Sequence, residues 1–178
     1  TESRNELLNI FKKHNINPIL LSESDTKLGG VETFHDAEKC ANLFKSNSNI
    51  IEGILVILPN FGDEKGVADT IRLSGLNVPV LVQAYPDDLD KLEVKNRRDA
   101  YCGKISVCNN LYQYGIKYTL TNNHVIHPSA DNFQNELIDF VSVCRVVKGM
   151  KRVRIGAVGA RPNACLLYTS DAADEGLG

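Results

Sequence analysis

Hydrophobic positions along this chain recur with a helical period in some stretches and run unbroken in others. In residues 4–13, Leu7, Leu8, Ile10 and Phe11 share one helical face, which predicts an amphipathic helix. Asn15, Ile16 and Asn17 break that pattern, and residues 18–22 (PILLS) read as a buried strand. After a loop at Gly29 and Gly30, Thr33 with Asp36 predicts a capped helix carrying Phe34, Ala37, Ala41 and Phe44. Residues 53–58 (GILVIL) form the clearest strand, continuous and rich in β-formers. Asp63 is placed to cap a helix over 64–73 that Gly75 stops, and residues 78–83 give the next strand. A helix over 105–114 ends at Gly115, followed by a short strand at 118–120. Asp131 with Gln134 predicts a capping box for a long helix, in which Phe133, Leu137, Phe140, Val141, Cys144 and Val147 keep one stripe. Gly149 is expected to end that helix, and residues 152–158 to begin another strand.

Strands that lack in-out alternation belong to parallel sheets covered on both faces. The short connections between them leave room only for parallel crossovers. The fold class is therefore α/β, a doubly wound parallel sheet with helices on both faces. Ligands of such sheets sit beyond the carboxyl ends of the strands, which selects the loops 22–30, 59–64 and 83–90.

Composition narrows the functions open to this fold. A net charge of −2 over 178 residues gives no electrostatic case for nucleic acid or an acidic membrane. The basic run 148–154 (KGMKRVR) straddles an expected helix end, where cations favour the last carbonyls. The five cysteines form no CxxC pair and no zinc-like spacing, which fits a reducing cytosol. The longest apolar run, 54–59, is too short to span a bilayer, and no signal peptide opens the chain. The expected location is the cytoplasm. Thr1 in place of Met implies that the natural amino terminus is missing.

Motifs with chemical promise each have a plainer reading. Gly156 to Gly159 (GAVG) follows a strand without a helix to receive a phosphate. His124 and His127 sit three apart in extended chain, with no third ligand nearby, and read as a loop pair. Asp87, Asp88 and Asp90 suit a hard cation, but a solvated helix start is the commoner explanation. Asn60, Phe61, Asp63 and Glu64 stand at the end of the most buried strand. There they could bind a polyol by hydrogen bonds and stacking, or serve as a cap with Phe61 as its hydrophobic staple.

Three stretches carry a family resemblance: "GILVILPNFGDEKGVADTIRLSGLNVPVLVQAYPDD", "RRDAYCGKISVCNNLYQYGIKY" and "CRVVKGMKRVRIGAVGARPNA". They resemble the amino-terminal part of the L-fucose/L-arabinose isomerase superfamily, in particular its shorter fucose-isomerase-like bacterial members, from about Asn17 to Ala164. The resemblance implies a manganese-dependent ketol isomerase, in which carboxylates move a proton through an enediol while the metal holds two sugar oxygens. It places the metal ligands and catalytic carboxylates in downstream domains, and no position of this chain matches them. It also implies a Rossmann-like first domain over residues 1–150, which packs over a neighbouring subunit's active site in a homo-oligomer. Asn60, Phe61 and Glu64 match the segment that contributes to the sugar pocket, and Lys104 and Ser106 fall in a second matching loop.

Residues 151–164 then begin a second domain, and residues 165–178 form a disordered tail. The stretch "CLLYTSDAADE" resembles the translation of an adapter used in transposon-based DNA library preparation, and such scars are set aside from fold reasoning. The expectation is an isomerase fragment, inactive by itself and binding no metal of its own. The alternative is a stand-alone sugar-binding or regulatory module. An open reading frame continuing for hundreds of codons past Ala164 favours the first, and a natural stop there the second.

Overall fold

The structure, a computed structural model, describes residues 2–154 and 156. Its centre is a parallel sheet of three strands, β1 (Ile54–Leu58), β2 (Val80–Ala84) and β3 (Thr119–Leu120), in the order β1-β2-β3. Ile54 pairs with Val80 and Leu58 with Ala84, while Leu81 and Val82 pair with Thr119 and Leu120. Among the described residues five α-helices surround it: α1 (Glu2–Lys13), α2 (Phe34–Ser46), α3 (Glu64–Ser74), α4 (Ala100–Gln113) and α5 (Asp131–Met150). This is an α/β fold with both sheet faces covered. Ile54, Val56 and Leu58 join Val80, Val82 and Ala84 against α3 and α4, and α2 lies outside α3. Leu55 and Ile57, pointing the other way, pack with Ile10 of α1 and Phe133 and Leu137 of α5. The strands follow one another in simple sequence, so no reversal of strand order lies among the described residues.

Two predicted caps form. Thr33 Oγ1 accepts from Asp36 N at 3.1 Å, and Asp36 Oδ2 accepts from Thr33 N at 3.0 Å, closing the box at the start of α2. Asp63 Oδ1 accepts from Gly66 N at 3.1 Å and starts α3, which Gly75 closes at φ 66°.

Elsewhere the structure departs from the pattern. Residues 18–22 join no ladder, although Leu21 is buried. The Leu21 carbonyl is taken by the Arg4 guanidinium, and Ser22 N donates to Asp25 Oδ2 at 2.8 Å, so a turn ends the segment where a ladder would continue. Helix α4 begins at Ala100 and not at residue 105. Its first turns bury Ala100, Gly103 and Lys104, small or charged residues that show no apolar period. The expected box at Asp131 is absent, because the N-cap is Ala130. Gln134 instead donates to Ser129 O at 3.0 Å and accepts from Lys13 Nζ at 2.8 Å, which ties α5 to the end of α1.

Gly149 lies inside α5, which continues to Met150. Of the strand expected over 152–158, residues 152–154 and 156 are not in a strand, and the others lie outside the described residues. The tail 165–178 lies outside them as well. Among the described residues no helix is long and apolar enough to cross a membrane.

Helix α5 crosses close to the start of β1. A Cβ at Gly53 would overlap Cys144 Sγ and come within 3.2 Å of the Phe140 ring, so the seat of this helix requires glycine.

Candidate functional site

The carboxyl ends of the three strands open into the loops 59–63, 85–99 and 121–130. Arg98 fastens the first two together. Its carbonyl accepts from Phe61 N at 2.7 Å, and its Nη1 donates to Pro59 O at 3.1 Å. Asp87 Oδ1 in turn accepts from Arg98 N at 2.7 Å and Asp99 N at 3.0 Å. Asp87 is therefore a brace inside a long loop, not part of a helix start. Asp99 takes a left-handed conformation at φ 50° before α4, which an Asp tolerates better than most residues.

Beside Arg98 a cleft of about 610 Å³ opens between this loop, the first half of α1 and His127. Tyr85 lies at its base, 2% exposed. The Tyr85 hydroxyl donates to Glu6 Oε2 at 3.2 Å, its ring meets His127 edge-on at 5.2 Å, and the Arg98 guanidinium lies 5.4 Å above it. Burial pushes the Tyr85 phenol up to about 12, and the Glu6 carboxylate adds to the effect, so it remains a hydrogen-bond donor throughout the neutral range. His127 Nδ1 stands 2.7 Å from Ser129 Oγ and 3.4 Å from Glu6 Oε1. His124 turns elsewhere, its ring 5.3 Å from that of Tyr101, and the two histidines do not converge.

The residues singled out from sequence take different positions around this edge. Asn60 and Phe61 are exposed at the tip of 59–63, with Phe61 53% accessible. The Asp63 cap forms with the Phe61 ring half exposed. Asn60 Nδ2 donates to Phe61 O at 2.6 Å, a contact that stiffens the tip. Glu64 is buried, and its Oε1 accepts from Gly62 N at 2.8 Å. Its carboxylate rests on α4, where a Cβ at Gly103 would stand 3.0 Å from Oε1.

Lys104 and Ser106 lie within α4 and not in a loop. Lys104 is 2% exposed, and its Nζ donates to Thr121 Oγ1 at 2.8 Å and His124 O at 2.9 Å. Burial lowers its pKa, partly offset by Cys108 and Glu136. Ser106, half-buried, lies two positions on and so roughly 200° round the helix. The structure thus gathers Asn60 and Phe61 in one loop with Glu64 at the start of α3 beside them, turns Lys104 to the β3 side, and leaves Ser106 apart. The loop 22–30, which follows no ladder strand, loses its topological claim to a ligand.

The family model for the fucose/sulfoquinovose isomerase N-terminal domain matches residues 1–151. The chain belongs to this family. No curated protein and no solved structure matches it. Among the described residues of this isomerase domain, no group of three or more His, Cys, Asp or Glu side chains is arranged to hold a metal ion. Sequence reasoning missed the Glu6–Tyr85–His127 cluster of the isomerase domain. The one available signal was Tyr85 standing directly after β2, at the edge where ligands bind.

Proposed function

We propose that this chain is the amino-terminal, Rossmann-like part of an aldose–ketose isomerase of the L-fucose/L-arabinose type. In this reading residues 1–150 form that domain, and residues 151–164 open the next. The carboxyl edge of the sheet forms one wall of a sugar pocket that a neighbouring subunit of a homo-oligomer completes. Manganese and the carboxylates that move the proton belong to the remainder of the full-length protein. Beside the family match, the reading is carried by the build of the loop 59–63. Bonds from Arg98, Asn60 and Glu64 fix its backbone, while the Phe61 ring stays exposed. A fixed loop holding out an aromatic ring and an amide suits sugar recognition, because little ordering entropy is lost on contact. Asn60 and Phe61 touch the sugar in this scheme. Glu64 holds the loop, and Lys104 and Ser106 act through α4.

The decisive test places Phe61→Ala in a full-length relative. Loss of one aromatic contact should lower sugar turnover about tenfold, with the unfolding midpoint unchanged, because the ring packs little core. Unchanged turnover refutes the assignment. The present chain supplied with manganese should interconvert neither fucose with fuculose nor arabinose with ribulose, and measurable turnover would overturn the division of labour.

A further inference from the structure

We propose that the cleft beside Tyr85 accepts an uncharged sugar and rejects a sulfonated one, and that Asp88 sets this choice. The inference rests on the isomerase reading above and adds to it a second sugar contact: Asn60 and Phe61 do not line this cleft, and Arg98 joins it to their loop. The two sugars in the family's description differ in charge: fucose is neutral, whereas sulfoquinovose carries a sulfonate. At about 610 Å³ the cleft has room for either as a monosaccharide, so volume does not separate them.

Charge does. Three carboxylates line the cleft, Glu6, Asp88 and Asp90, against two fixed cations, Lys91 and Arg98. Both cations are already paired with the same carboxylate. Lys91 Nζ lies 3.5 Å and Arg98 Nη2 3.8 Å from Asp88 Oδ2. Arg98 is further committed to Pro59 O and to the face of Tyr85. A sulfonate entering the cleft would have to compete with Asp88 for either cation, while Glu6 and Asp90 repel it. A neutral polyol brings hydroxyl donors, and carboxylates are the acceptors that bind such donors best. Asp90 is exposed and keeps its acceptors open to solvent. Asn9 supplies an amide donor for the sugar's own oxygens.

The test titrates the whole 178-residue chain with L-fucose and, separately, with sulfoquinovose, following backbone amide resonances. L-fucose should shift Tyr85, Arg98 and His127 saturably, and sulfoquinovose should bind there about tenfold more weakly or not at all. Asp88→Asn frees both cations and removes one negative charge, so sulfoquinovose binding should strengthen about two- to fivefold while L-fucose weakens. Asp90→Asn, at an exposed position that folding does not depend on, should move the ratio the same way by a smaller factor. Sulfoquinovose binding as tightly as L-fucose, or a ratio unmoved by both variants, overturns the proposal. Absence of any shift at the cleft overturns it too, while the isomerase reading stands or falls separately on turnover of the full-length Phe61→Ala enzyme.

Discussion

Replacing Gly53 by Ala adds a single methyl group at the start of β1, and the structure gives that methyl nowhere to go. It would overlap Cys144 Sγ and lie 3.2 and 3.3 Å from two carbons of the Phe140 ring. Cys144 is 4% exposed on a helix, where few rotamers are open to it, so relief requires α5 to lift from the sheet. Overpacking of this kind costs about 1–3 kcal/mol. Against it, Ala restricts the unfolded chain and returns about 0.4–1 kcal/mol. The net loss is about 1–2 kcal/mol, a fall of roughly 2–8 °C in the unfolding midpoint at this chain length.

Urea unfolding is the assay, because a changed midpoint with an unchanged slope isolates stability from denatured-state effects. Cys144→Ala removes the obstructing sulfur. The double variant should therefore lose less than the two single losses added, with a coupling energy of about 1 kcal/mol or more. An unchanged midpoint for Gly53→Ala, or strict additivity in the cycle, would show that α5 does not sit on the start of β1.

Burial raises the thiols of Cys40 and Cys144 from 9.0 to about 11, with the Glu52 carboxylate contributing at Cys144. Their stabilisation is fully present below pH 9 and lost as pH rises toward 11, by roughly 2–3 kcal/mol per thiol. Cys40→Ala should flatten the alkaline fall in unfolding free energy across that window, and parallel falls in both proteins would exonerate the thiol. Lys104 acts with the opposite sign: its folded pKa lies below the ordinary 10.5, so its burial penalty is relieved as pH rises through the folded value. Lys104→Met should therefore lose stability relative to the parent chain as the solution becomes more alkaline, measured by urea midpoints at matched pH. Asp63→Ala removes the cap of α3 and should cost about 1 kcal/mol. The same change frees the Gly66 N–H in the first turn of α3, seen as faster amide exchange there, and an unaltered exchange rate would contradict the cap.

Local signals in the sequence carried far. The unbroken run of β1, the Thr33 and Asp63 caps and the stripe of α5 each depend on residues within a few positions of one another, and each formed. The errors arose where a local pattern met a distant partner. Residues 18–22 have strand composition, but Arg4 and Asp25 take their polar groups. The start of α4 was hidden because its buried face holds Ala100, Gly103 and Lys104, whose fit depends on Glu64 and Thr121. The cleft was the least legible feature. Tyr85 meets Glu6 across 79 positions of chain, and a glutamate on the polar face of an amphipathic helix looks like ordinary solvated surface.

The run of α5 fixes where a label or fusion can be placed without disturbing recognition. This helix starts beside the loop 121–130 and spans 20 residues, about 30 Å. It ends at the opposite pole, where Lys148 pairs with Glu52 at 2.7 Å and Lys151 donates to Asn77 O. Ser3, Glu6 and Asn9, by contrast, line the cleft itself. A tag ahead of Ser3 would crowd the mouth of the cleft, whereas a fluorophore just beyond Met150 would report from the far end of the domain and leave the cleft open.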